Sequence, residues 1–333
     1  MLYEFAKKVN SSFVGKFIWM SIGLLPPRQK AVLISSILRV SLSKDTDSEE
    51  LEIKSDKECL VVARSIEKKV IRLSVNHTAY LRDLVRSFDY YFGSVIPLKI
   101  GEYQVVDFSQ PKDHDVVGFD LFPVNLPSLA EPISTNNQYI SFAQLSEGDI
   151  VIDLGAYAGL SSIMFKQVVG KTGKVIAVEA DSRNLRSLKT NFKRYEDCSA
   201  ESIEVLEVAV WNHSKGITFT SDGNMGSSAT EILGSTRGKS NFVPTMTLSD
   251  IATSLKLEKV SLIKCDIEGG ELAVFQDLAF FNKYRPRIII ESHVIEGVLT
   301  SKKVTEDLMK VKYSVREVIQ PGVDYPLLEC VPN

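Results

Sequence analysis

Apolar residues recur along this chain in two rhythms. From residue 150 onward, short and nearly continuous apolar runs (IVIDL, KVIAV, SLIKC, RPRIII) alternate with longer segments such as LSSIMFKQVVG, DSRNLRSLKTNFKRY and GELAVFQDLAFF, whose apolar positions fall three and four apart. Continuous runs predict strands buried on both faces, and the three-to-four spacing predicts helices covering them. Strands near YSVREVIQ and PLLECV follow a terminal helix. This is the pattern of an α/β, doubly wound, mostly parallel sheet, in which ligands bind at the carboxyl ends of the strands.

Upstream the rhythm is different. Leu2, Phe5 and Val9, then Val32, Leu33 and Ile37, keep helical spacing on either side of Pro26 and Pro27 and predict two amphipathic helices. The polar, acidic stretch SKDTDSEELEIKSDKE reads as an exposed connector, and residues 60–91 as one or two further helices. LKIGEYQVVDF and VVGFDLFPVNL, around the charged turn SQPKDHD, predict a β-hairpin. The expected division is a helical region with a hairpin over 1–135, carrying an interaction or acceptor-binding role, and an α/β domain over 136–333.

Composition narrows the partners. With 39 basic and 42 acidic residues the chain has no global field to attract nucleic acid. Residues 2–40 carry six Lys/Arg against one Glu, about +5, so peripheral membrane contact through these helices, or a homodimer built on them, are the partner expectations besides an acceptor molecule. Cys59, Cys198, Cys265 and Cys330 show no metal-type spacing with the four histidines and read as free thiols in a reducing, cytoplasmic compartment, with no resident metal expected. His77 reads as an ordinary surface or core residue.

The predicted strand ends collect the chemistry. The first ends at Asp153, Gly155, Ala156, Tyr157 and Gly159, the second at Glu179, Ala180 and Asp181, the third near Ala209 to Asn212, the fourth at Asp266 with Glu268 and Glu271, the fifth at Glu291 and His293. The glycines permit a tight turn and close approach of a ligand, and Glu179 is placed to accept hydrogen bonds from a ribose diol. A dinucleotide turn would have glycine two after Gly155, where this chain has Tyr157. That side chain crowds a diphosphate, and Asp153 repels one but suits an amino group or a sulfonium. S-adenosylmethionine is therefore favoured over a nicotinamide dinucleotide.

The segments VIDLGAYAGLSS, VIAVEADSRNLRSLKTNF, LEVAVWN, VPTMTLSDI, LIKCDIEGGELAVF and RPRIIIESH, in that order, resemble the FkbM family of S-adenosylmethionine-dependent methyltransferases over about residues 140–295. IKCDIEGGE carries most of the specificity, being similar to that family's IKxDxEGxE motif. The resemblance implies a seven-stranded, Rossmann-like methyltransferase sheet acting on a hydroxyl of a sugar, glycan or polyketide-type product. It implies that Asp153 and the Gly155–Gly159 backbone hold the methionine end of the cofactor, and that Glu179 takes the ribose, with Ala180 or Asp181 beside the adenine and Ala209 on the third strand's rim.

Transfer to a neutral hydroxyl needs in-line alignment and a base, and His293, Asp266 and Glu268 are the candidates. Two other readings of the acids stay open: Asp266, Glu268 and His293 could bind a divalent ion, and Glu271 could only cap the following helix. Asn184 and Asn191 read as caps or surface groups. The Gly/Ser-rich stretch SDGNMGSSATEILGSTRG is either an acceptor-side loop or an ordinary surface loop, and Trp211 and Tyr157 either stack on a ligand or pack. The alternatives to an enzyme of this kind are a non-catalytic S-adenosylmethionine-binding module and a nicotinamide-dependent oxidoreductase.

Overall fold

The computed structural model describes residues 25–42, 51–221, 228–229, 239–295, 298–320 and 325–333. Contacts divide the chain into two compact units, Met1–Lys112 with Ser128–Ala130, and Asp113–Pro127 with Glu131–Asn333; the sequence reading had placed its division at residue 135.

The second unit is built on a seven-stranded sheet. Its strands in chain order are β1 (Ile150–Leu154), β2 (Lys174–Val178), β3 (Glu204–Leu206), β4 (Leu262–Cys265), β5 (Arg287–Glu291), β6 (Tyr313–Val318) and β7 (Leu327–Pro332). They lie in the spatial order β3-β2-β1-β4-β5-β7-β6. The first five are parallel, and β7 runs antiparallel to both neighbours. The expected fold class, doubly wound and mostly parallel, is what forms. The chain winds outward from β1 to β3, then returns to lay β4 on the other side of β1. That reversal between β1 and β4 leaves a crevice at their carboxyl ends.

Alternation along each strand decides what lies on each face. Ile152 and Leu154, Ile176 and Val178, Ile263 and Cys265, and Ile288 and Ile290 enter one buried cluster with Phe275, Phe280 and Phe281. Val151, Val175, Leu262 and Ile289 enter the opposite one, with Tyr139 and Phe142 of helix α1 (Ile133–Ala143). By the same alternation Asp153, Lys264 and Glu291, each two residues further along, continue the second face to the rim. Helices α2 (Leu160–Val169), α3 (Ser182–Ser199), α4 (Leu248–Ser254), α5 (Leu278–Tyr284) and α6 (Thr300–Lys310) supply the crossovers. Asp181 caps α3 by accepting from the Arg183 N–H, and a Thr247/Asp250 capping box starts α4.

The expected third strand is split. β3 stops at Leu206, and Ala209–Val210 leave the main sheet to pair in parallel with Thr245–Met246. Ala209 therefore lies beyond the rim, packed with Ile217 and Phe219 against Ala180 and Trp211.

The first unit corrects three expectations. A helix does begin at Pro27 and runs to Leu42; the segment before Pro26, where the other basic helix is expected, lies outside the described residues. Residues 60–91, expected to be helical, instead form strands Cys59–Arg64 and Lys69–Ser74, with short helices only from Val75. The connector's second half is also a strand, Leu51–Asp56, which buries Ile53. The expected hairpin around SQPKDHD does not form: LKIGEYQVVDF folds on itself at Gly101, pairing Leu98–Ile100 with Tyr103–Phe108 and joining those three strands in a five-stranded sheet, while Val124–Leu126 pairs with Lys112–His114. The physical reason that CLVVAR and KVIRLS are strands is the alternation of their β-branched residues, broken by a turn that leaves Ile66 81% exposed. His77 is a buried residue bonded to Ser128 Oγ at 2.6 Å. No described helix is long and apolar enough to cross a membrane.

Candidate functional site

The turn after β1 is set by close packing of main chain on main chain. Gly155 has φ +74°, and a Cβ there would lie 1.8 Å from the Asp266 carbonyl oxygen at the end of β4. Only glycine lets the two strand ends approach so closely. Gly159 has φ +84°, and a Cβ there would lie 2.4 Å from the Phe192 ring of α3. Asn191, expected as a cap or surface group, is fully buried: its amide donates to the carbonyls of Ala158 and Asn125 at 2.8 and 2.9 Å, tying α3 to this turn. Asn184 is buried as well.

Asp153 is fully buried beneath the turn. Its Oδ2 accepts from Ser161 and Ser162 Oγ at 2.7 and 2.6 Å, which fixes the start of α2. Its Oδ1 lies 3.5 Å from Lys264 Nζ. Lys264, on β4 and also buried, lies 3.5 Å from Asp266 Oδ2 and donates to the Gly155 carbonyl at 3.0 Å. Burial opposes a charge on this lysine, but Asp153, Asp266 and Glu291 outweigh it and raise its pKa above the ordinary value. A buried ammonium thus joins the ends of β1 and β4, a role the sequence reading did not assign.

Glu179, 6% exposed, faces the same turn from β2. It accepts from the Tyr157 N–H at 2.9 Å and from the Ala180 and Asp181 N–H groups at 2.9 and 2.7 Å. Burial and the neighbouring Asp181 push its carboxyl up to about 7 against the pull of these donors. A carboxylate has about four lone-pair sites, so acceptor capacity remains for a hydroxyl. Ala180, Trp211 and Ala209 form an apolar patch beyond it, while Asp181 is buried as a helix cap. This set fits S-adenosylmethionine: a tight turn, a ribose acceptor and an apolar patch, with acids where a phosphate would be repelled.

At the ends of β4 and β5 the acids converge on one imidazole. His293 Nδ1 is 3.0 Å from Glu271 Oε1, and its Nε2 is 3.6 Å from Asp266 Oδ1 and 3.7 Å from Glu268 Oε1. Burial lowers the histidine's pKa, but Glu268, Glu271 and Asp266 together raise it well above its ordinary value. Glu268 adopts φ +52° at the bend after β4 and is pushed up to about 7 by burial and its acidic neighbours. Glu271, expected as a cap, is fully buried; its Oε1 accepts from the Gly269 N–H at 3.2 Å as well as facing His293. Glu291, on β5, accepts from the Tyr139 hydroxyl of α1 and is raised to about 7 by burial and by Asp266. Sequence reasoning noted Glu291 at its strand end but gave it no role, and Tyr139 carried no signal at all. Residues 222–227 and 230–238 of the Gly/Ser-rich stretch lie outside the described residues.

Residues 153–305 match the family model described as Methyltransferase FkbM domain. Solved structures similar to the chain include precorrin-6y C5,15-methyltransferase from Geobacter metallireducens GS-15, with TM-score 0.38 and 14% identity, covering 60% of this chain and 87% of that one. Fibrillarin from Aeropyrum pernix, in complex with natively bound S-adenosyl-L-methionine, has TM-score 0.37 and 15% identity, covering 58% and 74%. A SAM-dependent methyltransferase from Aquifex aeolicus has TM-score 0.36 and 13% identity, covering 59% and 88%. No curated protein matches the chain.

Proposed function

We propose that this chain, whose residues 153–305 form an S-adenosylmethionine-dependent methyltransferase domain of the FkbM type, methylates a hydroxyl oxygen of a sugar, glycan or polyketide-type product. The observation that carries the reading is the group of Asp266, Glu268 and His293 beside the β1 turn, where Gly155 packs on Asp266. Acceptors that are already nucleophilic need no base, whereas a hydroxyl must lose a proton as it is alkylated. The cofactor supplies an electrophilic methyl group on a sulfonium. As the new C–O bond forms and the C–S bond breaks, the hydroxyl proton passes to Asp266 or Glu268. His293, with Nε2 3.6 Å from Asp266 and 3.7 Å from Glu268, orients these carboxylates. Glu179 and the turn from Gly155 to Gly159 fix the donor, and Lys264 holds the β1 and β4 ends in register.

The test is incubation with methyl-labelled S-adenosylmethionine and fractionated glycan and natural-product extracts, with the labelled position read by NMR. A label on an acceptor oxygen supports the proposal; a label only on nitrogen or carbon overturns it. No transfer and no slow cofactor hydrolysis, despite tight binding, would favour a binding module instead.

A further inference from the structure

The same site contains a second arrangement that the proposed methyl transfer alone does not require. Asp266, Glu291 and His293 each offer one ligand atom, and these three atoms lie within 4.8 Å of one another. They come from the ends of two adjacent parallel strands, so the sheet holds their backbones fixed. Each is oriented from behind. Glu271, fully buried, takes the Nδ1 side of His293 at 3.0 Å and leaves Nε2 facing Asp266. The Tyr139 hydroxyl holds Oε1 of Glu291. Lys264 holds Oδ2 of Asp266 at 3.5 Å and leaves Oδ1 toward the ring.

A carboxylate behind the far nitrogen of a histidine is the support that metal-ligating imidazoles ordinarily have, because it fixes the tautomer and the ring plane. The charge balance points the same way. Asp153, Asp266, Glu268, Glu271 and Glu291 gather at the β1, β4 and β5 ends, where Lys264 lies 3.5 Å from both Asp153 and Asp266. Asp266 and His293 are partly exposed, 26% and 16% at their side chains, so an ion has a way in.

We infer that Asp266, Glu291 and His293 bind one divalent cation, facing the acceptor side of the cofactor turn. Two carboxylate oxygens and one imidazole nitrogen suit manganese, iron or zinc better than magnesium, which prefers oxygen alone. Three protein ligands leave coordination positions open for an acceptor hydroxyl, whose proton a bound cation makes easier to remove; with Asp266 coordinated, Glu268 is then the carboxylate that takes it. The catalytic part of this inference rests on the hydroxyl-acceptor reading, but the site itself does not.

The experiment is calorimetric titration of chelator-treated full-length protein with MnCl2, with free Mn2+ followed by electron paramagnetic resonance. One ion per chain is expected. Asp266→Asn and Glu291→Gln are each expected to weaken binding tenfold or more, and Glu271→Gln, which only supports His293, by about 10- to 100-fold. Glu258→Gln, an exposed acid elsewhere, leaves it unchanged. S-adenosylhomocysteine binding by the same samples shows that each variant is folded and tests the cofactor site separately. Absence of stoichiometric binding, or equal binding by D266N and E291Q, overturns the site whatever the protein methylates. Full transferase activity in chelated protein overturns the catalytic role.

Discussion

Replacing Gly155 by alanine tests the geometry on which the site depends. The added Cβ would stand 1.8 Å from the Asp266 carbonyl oxygen, whereas real Cβ contacts essentially never fall below 3.0 Å. The turn and the β4 end must therefore separate by at least 1.2 Å, the difference between those distances. The obstacle is main chain at the end of a central strand, so no rotamer change relieves it. Overpacking of this kind costs about 1–3 kcal/mol, and left-handed backbone at an alanine adds about 1–2 kcal/mol. At roughly 2–4 °C per kcal/mol for a unit of this size, the melting temperature should fall by about 5–20 °C. S-adenosylhomocysteine affinity should fall at least tenfold because the turn itself is displaced. Gly148→Ala is the control: its φ is +84°, but the nearest contact is an ordinary 3.5 Å from Thr172 Oγ1, so only the backbone cost applies. Thermal unfolding monitored by fluorescence and calorimetric titration give the two readouts. If G155A melts with G148A and binds as the wild type does, the account of the turn is wrong.

Other expectations follow from the charged groups. Lys264→Met leaves Asp153 buried without its cation, and should destabilise the protein by about 3–5 kcal/mol; a melting temperature unchanged from wild type would show that the pair contributes little. Glu179→Ala removes a charged acceptor worth about 1.5–3 kcal/mol, so S-adenosylhomocysteine should bind roughly 10- to 100-fold more weakly in a titration, and undiminished affinity would remove Glu179 from the cofactor site. Because the fold raises Glu179 from 4.5 to about 7, its stabilising contribution is fully present below pH 4.5 and is lost as pH rises through about 7. Denaturant unfolding between those pH values should accordingly be flatter in Glu179→Gln than in wild type, and identical slopes would contradict the burial argument. Tyr139→Phe removes the hydroxyl that holds Glu291 and should leave cofactor affinity intact while weakening Mn2+ binding; loss of both would mean that it acts on the fold instead.

The parallel sheet and its acid-lined rim were legible because a parallel strand is apolar throughout and stops abruptly at a polar residue. Asp266, Glu268 and His293 were found from that rule, and the structure brings them to one point. What could not be read was pairing across strands. Lys264 gains its partners from the register that sets it opposite Asp153, and Tyr139 reaches Glu291 across 152 positions of sequence. Asn191 looked like any polar helix residue until the packing of α3 placed it under the turn. The misreading of residues 60–91 has a different origin. Short apolar runs interrupted by Arg and Lys satisfy helical and strand spacing alike, and the sheet formed because each strand found a neighbour to pair with.

The central claim is that the turn from Asp153 to Gly159, with Glu179 opposite it, holds an adenosyl cofactor that lacks a diphosphate. Calorimetric titration of the full-length protein with S-adenosylhomocysteine and, separately, with NAD tests it directly. The account predicts saturable one-to-one binding of S-adenosylhomocysteine, weakened in Glu179→Ala, and no comparable binding of NAD. Tight binding of NAD without S-adenosylhomocysteine binding would contradict it.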